Sequence, residues 1–448
     1  MAEIIIHDLK FKDGIVTNYV EVSKNLKKFI KHPKMFVEYD ASIHADESVL
    51  NIPLIVTVLP LAWISGSDLI VDTLDKRFKE SMDTIQKIFK NMLPLAPFTT
   101  EIHVEELVEN RINPEDPARS TGLLFSGGID STYSMITHFH EKPRLVMHWG
   151  IEGPPYPIYR EYWEMVYNTY KTYAEKNDLS YNLTKTNALE ILYPRKIEHH
   201  FHKELYYGSL WVRLQESLII LGLAAPLSIN RFDKLLIAAS TYKEDSAYTD
   251  VNRPQSARPE IDERISWADL KVTHDGFIPR IGKTKILAKH LRDNELTFRV
   301  CLARPGDQTT PEKMNCNNCS KCYRTIMQLT QSETDPNNCG FIVDESTFTK
   351  IKEYYINHGL DIFGIHSQKE IPDIIEYDLY GSREFFMWLR DFHKPHERDV
   401  WCYRELYDSL PYPLAKILNE IYKKLKINIH FGNPHLSQQR VIKLKNPK

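Results

Sequence analysis

The sequence predicts an α/β protein: a parallel sheet covered by helices, preceded by an α+β module and followed by a mostly helical region. Three observations carry this. Between Thr121 and about Thr330, short apolar runs alternate with longer helical patterns, and parallel strands need such crossover helices. At the start of that region, GLLFSGGIDST (122–132) reads as the end of a buried strand, a glycine turn and an opening helix. Near its end, four cysteines are bunched at metal-ligand spacing.

The 448 residues allow two or three domains, and 42% apolar with 26% charged residues is ordinary for a globular chain. Net charge is −3, from 57 basic and 60 acidic residues, so the chain carries no overall footprint for nucleic acid. The start, MAEIIIHDLKFKDG, lacks the pattern of a secretory signal. No run approaches the roughly 18–20 apolar residues of a membrane span. A cytoplasmic protein is expected.

Residues 1–117 are expected as a first, α+β module. MFVEYDASI and LNIPLIVTVLPLAWI show strand-like alternation or apolar runs, and SDLIVDTLDKRFKESMDTIQKIFKNML has helical periodicity. Residues 111–120 look like the linker into the central domain, 118–335.

In the glycine turn, Gly127 and Gly128 let backbone N–H groups approach phosphate oxygens. The unpaired first-turn amides and the helix dipole favour an anion. Ser126, Ser131 and Thr132 add hydroxyls behind Phe125, and Asp130 either orients the loop or helps to hold Mg²⁺. Downstream, strands are expected at 144–151, over LSYNLTKTNAL and at 233–241, with a buried helix over 206–229. Ligands of such sheets sit beyond the strand carboxyl ends, which points to Trp149, Asn187, Ser240 and Thr241, with His148 nearby. The run Glu198-His199-His200-Phe201-His202 lacks zinc-like partners and reads as a loop. Cys301, Cys316, Cys319 and Cys322 form two consecutive C-x2-C steps with a fourth thiol upstream, enough to close a tetrahedral zinc shell. An iron–sulfur cluster is the rival. Zinc is favoured because a closed structural site needs no redox partner. Cys339 and Cys402 lie outside the pattern. Lys321 and Arg324 neighbour it, to balance thiolate charge or, for Arg324, to reach a phosphate.

The string SGGIDST resembles the PP-loop of the ATP pyrophosphatase superfamily. It occurs with LLIAAST, with IGKTKILAKHL around Lys283, and with RVC followed by NCNNCSKCYRT. Together these resemble the 7-cyano-7-deazaguanine synthase (QueC-like) family, over about 123–329. The resemblance implies a Rossmann-like sheet, ATP with Mg²⁺, zinc on the four cysteines, and a ligase acting on a small carboxylate, a 7-deazaguanine carboxylic acid. It adenylates the acid, releases pyrophosphate and passes the acyl group to an amine, giving an amide or nitrile. Ser126, Asp130 and Lys283 are then the catalytic candidates, and residues 125–128 and 130–132 hold the nucleotide. Some longer relatives attach a deazaguanine to a partner protein in antiviral systems, and other PP-loop enzymes adenylate tRNA bases. Departures are Tyr206-Tyr207-Gly208-Ser209 in place of an Arg-Asn pair, and Tyr248-Thr249-Asp250 with 256–262 in place of a Gly-Tyr-Pro-Asp segment. Asn317 stands where a glycine is usual. The flanks, 1–117 and 336–448, have no counterpart in the short synthases. They offer surface for a protein acceptor or a homodimer. The C-terminal flank is expected to be mostly helical and rich in aromatic residues.

Overall fold

The structure, a computed structural model, describes residues 2–151, 159–245, 254–291, 296–301, 314–392, 399–402, 414 and 428–431. Ten of its strands are β1 (Glu3–Lys12), β2 (Ile15–Val22), β3 (Lys34–Tyr39), β4 (Asp68–Asp75), β5 (Ile102–Val108), β6 (Thr121–Leu124), β7 (Arg144–Trp149), β8 (Tyr181–Thr186), β9 (Lys234–Ala238) and β10 (Lys271–Asp275). They form one sheet in the order β10-β9-β6-β7-β8-β3-β2-β1-β4-β5. The first five strands of that order are mutually parallel. Counted from β6 along the chain they have the 3-2-1-4-5 order of doubly wound sheets, whose switch point lies between β6 and β9.

The expected boundary at 117 falls between β5 and β6, inside this continuous sheet. β3 pairs antiparallel with β8, and β1–β3 form an antiparallel meander. β4 and β5 continue it parallel to β1. Alternate residues of the central strands face opposite layers. Leu124, Val146 and Leu235 join the core shared with the N-terminal segments, while Leu123, Leu145 and Leu236 join the one shared with the C-terminal helices.

Two N-terminal expectations are corrected. LNIPLIVTVLPLAWI is not strand-like but forms a helix, Ile52–Ser65, in which Ile52 through Ile64 are all buried. An apolar run has no period to read when every side is covered, and its length suits a helix better than a strand. The start of the next segment is strand β4, not helix. Its helix begins at Lys76, where Asp75 accepts the Phe78 N–H at 2.8 Å. The histidine run is also corrected, since Pro194–His200 is helical. The expected helix over 206–229 is interrupted: a π-helical turn at Trp211–Gln215 precedes helices Glu216–Gly222 and Ala225–Ser228.

Helices Thr347–His358, Ile362–Lys369 and Ser382–Asp391 make the described C-terminal region largely helical. Asp399–Cys402, expected within a helix, is instead a strand paired with Asn428–Phe431. The helix expected over LAKILNEIYKKLKI and the tail RVIKLKNPK lie outside the described residues, apart from single positions. Among the described residues no helix is long and apolar enough to cross a membrane.

One polar cluster fastens the end of the helix that follows the glycine turn. His138 lies between Glu141 (2.7 Å) and Asp275 (2.9 Å), and Lys234 donates to Glu141. Burial works against a charged imidazole here, but its hydrogen bonds to the Glu141 and Asp275 carboxylates outweigh it and raise the His138 pKa. Glu141 is driven the other way, to about 2: burial would raise it, but Lys234 and His138 prevail. A raised histidine pKa gives stability that is complete below its ordinary value and lost as pH rises through the folded-state value. His138→Gln is therefore expected to lower stability by on the order of 1 kcal/mol near pH 5–6. The difference from wild type should fade at alkaline pH, measured by denaturant melts across pH.

Candidate functional site

The glycine turn follows β6 at the switch point. Gly127 has φ +77°, and a Cβ there would lie 2.1 Å from the Tyr170 hydroxyl, so only glycine fits. The Tyr170 hydroxyl donates toward the carbonyls of Gly127 (3.2 Å) and Thr297 (3.0 Å). The Arg299 N–H reaches the Gly127 carbonyl at 2.8 Å. Gly128 is the N-cap of the helix Ile129–Thr137 in extended conformation. Ser126 and Ser131 face each other, Oγ to Oγ 3.3 Å. The turn's shape is thus held from behind, leaving the helix N-terminus toward a cleft.

That cleft, about 920 Å³, is lined by Phe125, Ser126, Gly128, Asp130 and Ser131 of the turn. Gly127 and Thr132 are buried behind it. Of the strand-end residues, His148, Ser240 and Thr241 line the cleft. Trp149 packs beneath it on Trp163, with ring centroids 5.7 Å apart. Asn187 is directed instead to β3: it accepts the Phe36 N–H at 2.8 Å and donates to the Lys34 carbonyl at 3.0 Å. Tyr248, Thr249 and Asp250 lie outside the described residues.

Four cations gather on the cleft wall beside the turn: Arg280, Arg299, Lys321 and Arg324. Arg299 donates from Nε to the Ser126 carbonyl (3.1 Å) and lies 4.8 Å from the Trp163 ring centroid. Arg280 sits 3.6 Å from Asp130, and Arg324 lies over the Phe363 ring at 5.7 Å. The buried Nε atoms of Arg280 and Arg324 have no hydrogen-bond partner among the described residues. Burial lowers the Arg280 pKa to about 10, against the pull of Asp130. Two such guanidiniums near each other in a low-dielectric wall favour a bound anion.

Lys283 is completely buried beneath the turn. Its Nζ donates to Asp130 at 2.8 Å and to the Ala239 carbonyl. Burial would raise the Asp130 carboxyl, but Lys283, Arg280 and Arg324 outweigh it and hold its pKa low. Asp130 is thus an anion held by cations, which fits the loop-orienting reading of its role. The opposite part of the cleft is apolar, with Ile151, Leu189, Pro194, Trp211 and Ile220, and carries His148, Gln215 and Asp262 as polar groups. His148 donates to the Ile220 carbonyl at 3.0 Å, and burial lowers its pKa to about 4, so it is neutral at pH 7. Asp262 pairs with His274 at 2.6 Å, both fully buried.

Sequence reasoning missed Arg280, Arg299, Trp211, Phe363 and His366. Two signals were present. Arg280 precedes Lys283 by three residues, which places both on one helix face, and Arg299 lies two residues before Cys301. Phe363 and His366 carried no signal, because they come from a region without motifs.

The four cysteines converge: all four Sγ atoms lie within 4.8 Å of one another. Three of the separations are 3.5, 3.8 and 3.9 Å. A tetrahedron with Zn–S bonds of about 2.3 Å has S···S edges of about 3.8 Å, so the cluster fits a zinc ion. An iron–sulfur cluster interposes several atoms between its thiolates and needs more room. Among the described residues no other group of three or more histidines, cysteines or carboxylates converges in this way. In the histidine run, Glu198 accepts the Leu210 N–H (2.9 Å) and His200 packs on Phe29 and Phe201. Asn317, in the expected glycine position, has φ +56°. Asparagine tolerates that left-handed conformation, and its Oδ1 also accepts the Ile342 N–H at 3.0 Å. Cys339 is buried and its pKa is pushed up to about 12 by burial.

No protein-family model, curated protein or solved structure matches this chain.

Two outcomes follow from this geometry. Gly127→Ala should destabilise by roughly 2 kcal/mol or more through strain and the Tyr170 clash. Gly128→Ala, whose Cβ would meet nothing nearer than 3.4 Å, should leave the melting temperature nearly unchanged. Elemental analysis of the purified chain should find one zinc per chain and no iron.

Proposed function

We propose that this chain is an ATP-dependent carbon–nitrogen ligase of the PP-loop kind, acting on a small carboxylate. The observation that carries the reading is the glycine turn and helix N-terminus opening on one cleft beside four cations, Arg280, Arg299, Lys321 and Arg324. Such a surface suits a polyphosphate, and it adjoins an apolar compartment with room for a compact organic acid. The resemblance to 7-cyano-7-deazaguanine synthases supplies the candidate acid, a 7-deazaguanine carboxylic acid.

In this reading the carboxylate oxygen attacks the α-phosphorus of ATP, and the bond to the bridging oxygen breaks as pyrophosphate leaves. An amine then attacks the acyl carbon, loses a proton and expels AMP, giving an amide. A second ATP would adenylate the amide oxygen with release of pyrophosphate, and departure of AMP with loss of the two protons on nitrogen would give the nitrile. The backbone N–H groups of 126–131 and the guanidiniums of Arg280, Arg299 and Arg324 stabilise charge on the leaving phosphates. Lys283 positions Asp130, and through it the helix N-terminus, rather than touching the phosphates itself. A bound Mg²⁺ would neutralise phosphate oxygens in the same cleft. The acidic residues there are Asp130, Glu216, Asp245 and Asp262.

Helix Ile362–Lys369 lies outside the resemblance, yet its Phe363 and His366 form part of the cleft wall. This favours, as a second reading, an acceptor other than ammonia, such as an amine on a partner protein. Mass spectrometry after incubation with the acid, ATP and either ammonia or co-expressed proteins separates the two.

The nucleotide products are expected to be AMP and pyrophosphate. ADP with phosphate as the only products would overturn the assignment. Arg280→Gln should lower kcat/KM by about 10²-fold, the scale for losing one preorganised donor to developing charge. Lys283→Met should also lower turnover, and it should destabilise the fold, because Asp130 loses its buried partner.

A further inference from the structure

Three of the four cleft cations lie within two residues of a cluster cysteine: Arg299 before Cys301, Lys321 before Cys322, and Arg324 after it. The glycine turn is joined to the same centre. Arg299 holds the turn through the Gly127 carbonyl (2.8 Å) and the Ser126 carbonyl (3.1 Å). The next residue, Val300, donates its N–H to Asn315 Oδ1 at 3.0 Å. Asn315 in turn donates to the carbonyls of Phe298 (2.7 Å) and Gly340 (3.0 Å). It immediately precedes Cys316, whose N–H reaches Cys301 Sγ at 3.4 Å. A short, largely buried network therefore runs from Cys301 and Cys316 to the backbone that would contact phosphate.

We propose that the four-cysteine centre sets the cleft's affinity for phosphate, by fixing Arg299, Lys321 and Arg324 in mutual register with the glycine turn. The inference rests on the phosphate reading of the cleft. Its physical basis is like-charge repulsion. Arg299 and Arg324 are 9% and 7% exposed on the wall of one cleft, and like charges in a low-dielectric wall repel unless their backbones are held. The irregular segment ending at Cys301 and the helix beginning at Ser320 are separate stretches of chain. A metal bridging Cys301 to Cys316, Cys319 and Cys322 clamps the two segments, so that binding an anion need not bear the ordering cost. The centre is then more than a fold staple: metal and polyphosphate are thermodynamically linked, and each strengthens the other by the same factor.

The probe is an ATP analogue with a methylene between the α- and β-phosphorus atoms, in excess Mg²⁺, titrated calorimetrically. Zinc-free Cys319→Ser is expected to bind it about tenfold or more weakly than the zinc-loaded chain, the scale of losing one charge-assisted contact. Cys316→His, which keeps a zinc-competent ligand set, should retain the wild-type affinity. In the cobalt-substituted wild-type protein, chelator-driven loss of the cobalt–thiolate absorption should slow when the analogue is present. Equal affinity in a folded zinc-free chain, or a cobalt loss rate indifferent to the analogue, would overturn the proposal. Should Cys319→Ser fail to fold, the cobalt measurement on the folded wild type decides. A zinc-loaded wild type that does not bind the analogue would overturn the phosphate reading and this proposal together. Binding by the loaded protein without linkage removes only the proposal.

Discussion

The pairing of Asp130 with Lys283 underlies the arrangement of the cleft. A fully buried ammonium is tolerated only when paired and hydrogen-bonded. Here it has both a carboxylate and the Ala239 carbonyl as partners. Those partners come from the start of the helix after β6 and from the end of β9, while the lysine comes from the helix Arg280–Leu291 after β10. The pair can form only if β9 lies beside β6, which is the order that places the switch point at the glycine turn. The same helix brings Arg280 to the wall. One buried charge pair thereby ties strand order, helix position and cation placement into a single condition.

A second layer of support acts from the other side. Tyr170 and Arg299 hold the Gly127 carbonyl, and Trp163 backs the Arg299 guanidinium. The turn therefore owes its shape to side chains on a helix and on the segment entering the cysteine centre. This is preorganisation: amides and guanidiniums are placed before any ligand arrives, and low local dielectric increases their effect.

What was legible in the sequence was what is local. The glycine turn, the strand before it and the three thiols Cys316, Cys319 and Cys322 are read from neighbouring residues, because their chemistry depends on spacing of a few positions. Even the departure at Asn317 is locally intelligible once its left-handed backbone is seen. The N-terminal errors have a different origin. Ile52–Ser65 is buried on all sides, so its apolar residues show no helical stripe, and the β-branched residues of β4 run straight into a helix without a glycine or proline to mark the change. Asn187 was misplaced because no local pattern announces that β3, some 150 residues earlier in the chain, pairs with the outer edge of β8. Phe363 and His366 were invisible for the same reason. Their roles come from contacts between distant segments, not from their neighbours.

The junction between β3 and β8 also bears on how the molecule moves. It spans three residue pairs, from Val37 with Thr186 to Tyr39 with Thr184. Side chains stitch it further: Lys185 to Glu38, Thr186 to the Phe36 carbonyl, and Asp40 accepting from both Asn182 and the Leu183 N–H. Behind it, Gly222 brings its helix so close to Ile52–Ser65 that a Cβ would lie 2.6 Å from Val56. A seam of this kind cannot serve as a hinge, since bending it would break backbone ladder and core together. The seam therefore makes the N-terminal strands part of the same mechanical body as the strands that carry the glycine turn.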